Sequence, residues 1–224
     1  MSGQIPALRL EGIVKTFPGV RALDGVSFDV MPGEVHALMG ENGAGKSTLM
    51  KVLGGIYQPD SGKIIVNETL AVMTSPLEAK AKGILFIHQE LSLAQELSVA
   101  ENVYLGELPL KRFSRIDWAT LYEKTDAILA RLNVGFNSKT IVGRMSIANQ
   151  QMVEIARALV FTPKIVIFDE PTASLTDTEK FVLFDVINDL KKDGVAIVYI
   201  SHRMDEIFSL SDRITVLRDG CYRA

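Results

Sequence analysis

A chain of 224 residues, 47% apolar and 23% charged, is long enough to bury a sizeable core and too apolar to be disordered. Its net charge of −3 leaves no basic footprint for nucleic acid, and its one cysteine, Cys221, excludes an intramolecular disulfide. The N-terminus MSGQIPALRL lacks a signal peptide's basic and apolar regions, and no run reaches the about 18 apolar residues of a membrane helix, so a soluble protein of a reducing compartment is expected.

In chain order, Leu8–Phe17 and Val26–Val30 read as strands, with Gly19 and the Met31-Pro32-Gly33 turn as punctuation. Val35–Met39 is an apolar strand, followed by a glycine-rich loop and a helix from about Lys46 to Leu53. Lys63–Val66 follows the Asp60-Ser61-Gly62 turn as a further strand, and Ile84–Ile87 is a short apolar one. The texture then becomes helical: Val99–Leu105, Trp118–Leu132 behind an Asp117 cap, and Gln150–Leu159 after the polar stretch Met145–Asn149. Strands return at Ile165–Phe168, Ala196–Ile200 and Arg213–Leu217. The runs 35–39, 84–87, 165–168 and 196–200 lack alternation, as strands covered on both faces of a parallel sheet do. The expected fold is α/β: a core from residues 1–90 and 161–224, interrupted by a helical subdomain over 91–160.

Gly40-Glu41-Asn42-Gly43-Ala44-Gly45-Lys46-Ser47 has the form G-x-x-x-x-G-K-[ST] and lies between a strand and a helix, the context that gives the pattern meaning. Glycines let successive N–H groups converge on phosphate oxygens, and the helix N-terminus adds partial positive charge there. Lys46 then reaches the β and γ phosphates, Ser47 ligates Mg²⁺, and Thr48 continues the first turn. This is the expected phosphate loop of a P-loop NTPase using Mg²⁺.

Lys164–Phe168 runs into Asp169-Glu170, two carboxylates at the sheet edge where open α/β folds bind ligands. Alone, such a pair is an ordinary solvated strand end. Beside a phosphate loop, Asp169 is a Mg²⁺ ligand and Glu170 a general base for an attacking water. Gln89 and His202 end other sheet strands in the same way, and each alone fits a polar residue facing solvent equally well. Together they fit a neutral sensor of Mg²⁺ or water and a γ-phosphate contact.

With these motifs in order, the chain closely resembles the ATP-binding subunit of ABC transporters over essentially its whole length. Gly40–Thr48 is similar to the Walker A motif, and Lys164–Glu170 to Walker B with its catalytic glutamate. The resemblance implies a RecA-like core with added N-terminal antiparallel strands. It makes Gln89 the Q-loop glutamine, also a metal ligand with Ser47 and Asp169, His202 the switch histidine, and Phe17 the aromatic stacked on adenine. The stretch Met145-Ser146-Ile147-Ala148-Asn149 falls on the family signature, usually Leu-Ser-Gly-Gly-Gln, which closes over ATP held by a second ATPase domain. Ser146 is kept; Ile147 and Ala148 replace both glycines, adding Cβ atoms where the backbones approach, and Asn149 replaces Gln. Ser146 also satisfies a plain helix cap. Thr176 stands where an Asp is usual, and Asp177 fits the cap or first turn of the next helix.

Phe17–Leu23, Ile87–Leu91 and the run after Ser146 look like bacterial importers of monosaccharides such as ribose, galactose or xylose, whose two ATPase halves are commonly fused. That resemblance implies the N-terminal half of a tandem ATPase at the cytoplasmic face of the inner membrane. Its partners are permease subunits and a periplasmic sugar-binding protein, with no nucleic acid, and Glu90–Gly106 is the candidate docking segment. Two alternatives stay open: a non-transport ATPase of the same kind, and a regulatory module that binds ATP and hydrolyses it weakly.

Overall fold

The computed structural model describes residues 5–88, 91–173 and 175–223. Strands β1 (Leu8–Phe17), β2 (Val20–Val30), β4 (Ser61–Val66) and β5 (Thr69–Leu70) form an antiparallel sheet in the order β2-β1-β4-β5. β2 starts six residues before the sequence expectation. Residues 20–25 pair with β1 through register shifts that break the alternation by which such a strand is recognised.

The second sheet has six strands in the order β10-β9-β3-β8-β7-β6. These are β3 (Val35–Gly40), β6 (Ile84–Ile87), β7 (Ile165–Asp169), β8 (Ala196–Ile200), β9 (Arg213–Arg218) and β10 (Cys221–Tyr222). β3 pairs parallel with β8 and β9, and β7 parallel with β8. All five residues of β8 are buried, as the missing alternation predicts. Helices α1 (Lys46–Leu53) and α2 (Pro76–Ala81) follow β3 and β5. α2 is capped by Ser75 with Pro76 in its first turn.

Residues 5–86, 163–170 and 187–223 form one compact unit, and residues 87–162 and 171–186 a second. In the first, Leu8, Leu10, Ile13, Leu23 and Val26 bury against Leu38, Leu49, Leu53, Ile165, Ile167 and Val198. The second holds α3 (Val99–Val103), α4 (Trp118–Arg131), α5 (Ile147–Leu159) and the start of α6 (Asp177–Lys192). α3 opens on a full capping box, Ser98 with Glu101. At α6, Thr176 donates both its N–H and its hydroxyl to Glu179, and Asp177 lies in the first turn. The last helix, α7 (Met204–Leu210), belongs to the first unit. No helix among the described residues is long and apolar enough to cross a membrane.

Candidate active site

The buried strand β3 leads rigidly into residues 40–45. Sterics then decide the composition of the loop. Gly45 has φ of +105°, and a Cβ there would lie 2.6 Å from the carbonyl oxygen of Ala22. A Cβ on Gly40 would lie 2.6 Å from that of Leu217. Gly43 has φ of +85°, and Ala44 between the last two glycines is buried. α1 starts directly at Lys46, with no side chain capping its first turn, so the loop presents an uncapped helix N-terminus to an anion. Lys46 is 9% exposed and donates from Nζ to the carbonyl oxygens of Gly40 (2.5 Å) and Glu41 (3.1 Å). Its cation is thereby folded onto the loop. Glu41, Asn42 and Ser47 are exposed, and Thr48 is half-buried.

β7 delivers the carboxylates to the same unit. Asp169 is the last residue of β7, half-buried and in register with Ile200 of β8. Glu170 follows with φ of +47°, a left-handed conformation that costs a non-glycine residue about 1 kcal/mol or more. Its N–H donates to the carbonyl of Ile200 at 3.0 Å, which anchors the turn to the neighbouring strand. Its Oε1 lies 3.2 Å from Nδ1 of His202, the second residue beyond β8. The structure therefore brings together the two residues expected to handle water and γ-phosphate. Gln89 lies outside the described residues.

Phe17 ends β1 with its ring edge-to-face on Tyr57, at 5.2 Å between centroids and 68° between planes. The two residues before it are held by Asp60, which accepts from Lys15 Nζ at 2.8 Å and from Thr16 N–H at 2.7 Å. The Lys15 hydrogen bond foremost, then the Thr16 N–H, holds the Asp60 carboxyl below the usual carboxylate range. Lys15 Nζ also stands 5.7 Å from the Phe17 ring centre. Sequence reading missed Tyr57, Lys15 and Asp60. Asp60-Ser61-Gly62 is readable as a turn, but nothing in it names a partner 44 residues back.

In the second unit, Ser146 caps α5, its Oγ accepting from Asn149 N–H at 3.3 Å. The signature substitutions divide by face: Ile147 is 50% exposed, whereas Ala148 is 6% exposed. The expectation that both add a Cβ to an approaching surface is corrected here. Only Ile147 presents one, because Ala148 packs inward. Gln150 is buried and donates to the carbonyl of Met145 at 3.2 Å, and its Oε1 accepts from Gln95 at 3.3 Å, which braces the helix start.

A family profile described as ABC transporter matches residues 23–173. A ribose import ATP-binding protein from Rubrobacter xylanophilus is 53% identical over 219 residues, covering 97% of this chain and 42% of that protein's length. Two solved structures agree over 98% of this chain and 90% of theirs. A nucleotide-free ATP-binding cassette from an ABC transporter has a TM-score of 0.87 at 30% identity, and an ATP-binding cassette in its ADP conformation 0.88 at 32%. With the phosphate loop, the paired carboxylates and the facing histidine in place, these similarities show that the chain belongs to the ATP-binding cassettes of the ABC transporter family.

Proposed function

We propose that this chain is the ATP-hydrolysing part of a bacterial sugar importer, working at the cytoplasmic face of the inner membrane. The observation that carries the chemistry is the 3.2 Å contact of Glu170 with His202 at the end of the sheet that bears the phosphate loop. The import reading is supported by the similarity to a ribose import ATP-binding protein, of which the chain spans 42%. That name does not favour the non-transport or regulatory alternatives.

In this reading adenine stacks on Phe17, and the loop N–H groups of residues 40–48 with Lys46 hold the β and γ phosphates. The donors fit Mg²⁺: an exposed hydroxyl at Ser47 and a half-buried carboxylate at Asp169, with Gln89 as a third oxygen, are few and hard. Among the described residues no group of three or more His, Cys, Asp or Glu suggests a softer or fully caged metal. Bound there, the ion would neutralise charge on the β and γ phosphate oxygens. Glu170 accepts a proton from the water whose oxygen bonds to the γ-phosphorus, while the bond to the bridging oxygen breaks and ADP leaves with that electron pair. His202 fixes the Glu170 carboxylate and steadies the transferred group. Ser146, Ile147 and Asn149 face ATP held by a second ATPase domain, with Ala148 packed inward beneath them. The segment Glu90–Gly106 transmits closure to permease subunits served by a periplasmic sugar-binding protein.

Glu170→Gln tests the assignment in the full-length protein. ATP binding stays within about twofold, and turnover falls by about a hundredfold or more, the usual contribution of a general base. Undiminished turnover overturns the role.

A further inference from the structure

His202 is 67% exposed, and among the described residues its polar contact is with Glu170, so its own surroundings do little to hold it in place. Its chain neighbours are held instead. Glu206, four residues on in α7, is 2% exposed and carries a carboxyl group into the interior of the first unit. Its Oε2 accepts from Tyr199 Oη at 2.8 Å and from Ser201 Oγ at 3.2 Å. Its Oε1 lies 3.1 Å from Arg203 Nε. The Ser201 hydroxyl closes the ring by accepting from Arg203 N–H at 3.1 Å. The residues on both sides of His202 thus converge on one buried carboxylate, which is tied to the fully buried Tyr199 of β8.

Burying a carboxylate costs several kcal/mol unless it is paired and hydrogen-bonded, so this arrangement needs all of its partners. Its geometry fixes the backbone at residues 201–203. We infer that Glu206 is a positioning residue for ATP hydrolysis, acting through Ser201 and Arg203 to hold His202 against Glu170. This rests on the hydrolytic reading of Glu170 and His202. Glu206 lies in the helix after the histidine and acts on the chemistry only through its neighbours' backbone.

The test is a double-mutant cycle in the full-length protein, reading kcat and KM for ATP. Glu206→Gln keeps the shape but places an amide N–H₂ where an acceptor is needed. It should lower kcat by about tenfold with KM for ATP within about twofold. In a His202→Ala background the same substitution should change kcat by less than about twofold, because there is no imidazole left to position. An unchanged kcat in Glu206→Gln overturns the inference, as does the same fold-loss in both backgrounds, which marks a general folding role. Ser201→Ala leaves Glu206 paired with Tyr199 and Arg203, and serves if Glu206→Gln does not fold. It should give a smaller kcat loss that also vanishes in the His202→Ala background; an equal loss in both overturns the inference. Undiminished turnover in His202→Ala alone defeats the parent reading and the inference together, and does so at His202 rather than at Glu206.

Discussion

At the scale of single residues, the site is governed by positions where one side chain has no tolerable substitute. Gly45 is the sharpest case, since a methyl group meets both a left-handed φ and a carbonyl oxygen at 2.6 Å. Gly45→Ala should destabilise the fold by about 2–4 kcal/mol and remove measurable ATP binding, as checked by thermal unfolding and nucleotide titration. Asp60 acts by charge. Its carboxyl is held below the ordinary range by Lys15 and Thr16, so its contribution is fully present above the unfolded-state pKa and lost as pH falls through the lower folded one. Asp60→Asn should therefore lower the melting temperature at neutral pH and weaken ATP binding through a looser Phe17. The melting gap to wild type should close in acid; a gap that is constant with pH speaks against the charge argument.

At the scale of elements, local signals and long-range anchoring divide the labour. Ser146, Ser75 and the Ser98–Glu101 pair each start a helix in the way their neighbours dictate. Asn102 in α3 does something less local. It is fully buried, accepts from Ala94 N–H at 2.8 Å, and donates to the carbonyls of Ala94 and Ser98 at 3.0 Å each. One amide thus adds to the backbone bonds that already hold this stretch, in which Ala94, Gln95, Leu97 and Ser98 each accept at the carbonyl from a backbone N–H. Asn102→Ala takes the acceptor from the half-buried Ala94 N–H, while the Ala94 and Ser98 carbonyls keep their backbone donors, and should cost about 1–3 kcal/mol in denaturant unfolding. Because that loop lies within the proposed docking segment, transport should suffer more than ATP binding.

At the scale of the whole molecule, the chain spans 42% of the length of the ribose import ATP-binding protein it resembles, so its active assembly is proposed to include a second ATPase domain. In that proposed assembly the start of α5 is the surface offered to the second domain; Ser146 and Asn149 are exposed there, with Ile147 beside them. A bulky cation at its centre blocks close approach and alters no residue of the phosphate loop. In full-length protein, Ser146→Arg should leave ATP affinity within about threefold while cutting turnover by about tenfold or more. Equal turnover would exclude the signature from catalysis.

Much of this was legible in the sequence, because the determining forces are short-ranged. G-x-x-x-x-G-K-S names a phosphate loop through steric demands of neighbouring peptides, and unbroken apolar runs name buried parallel strands through their two covered faces. The start of β2 was hidden, because bulges erase period-two alternation. So was the division between Ile147 and Ala148, since a two-residue step on a helix start shows no periodicity by itself. By itself the sequence determined the fold class, the phosphate loop and the carboxylate pair at the strand end. Only the tertiary structure decided that Asp60 holds Lys15 and Thr16 just before Phe17, that Ala148 turns inward, and that Glu206 grips both neighbours of His202. The physical reason is that a buried polar group takes whichever partner the packed chain brings within hydrogen-bond reach, and that choice is not written in the spacing of residues along the chain.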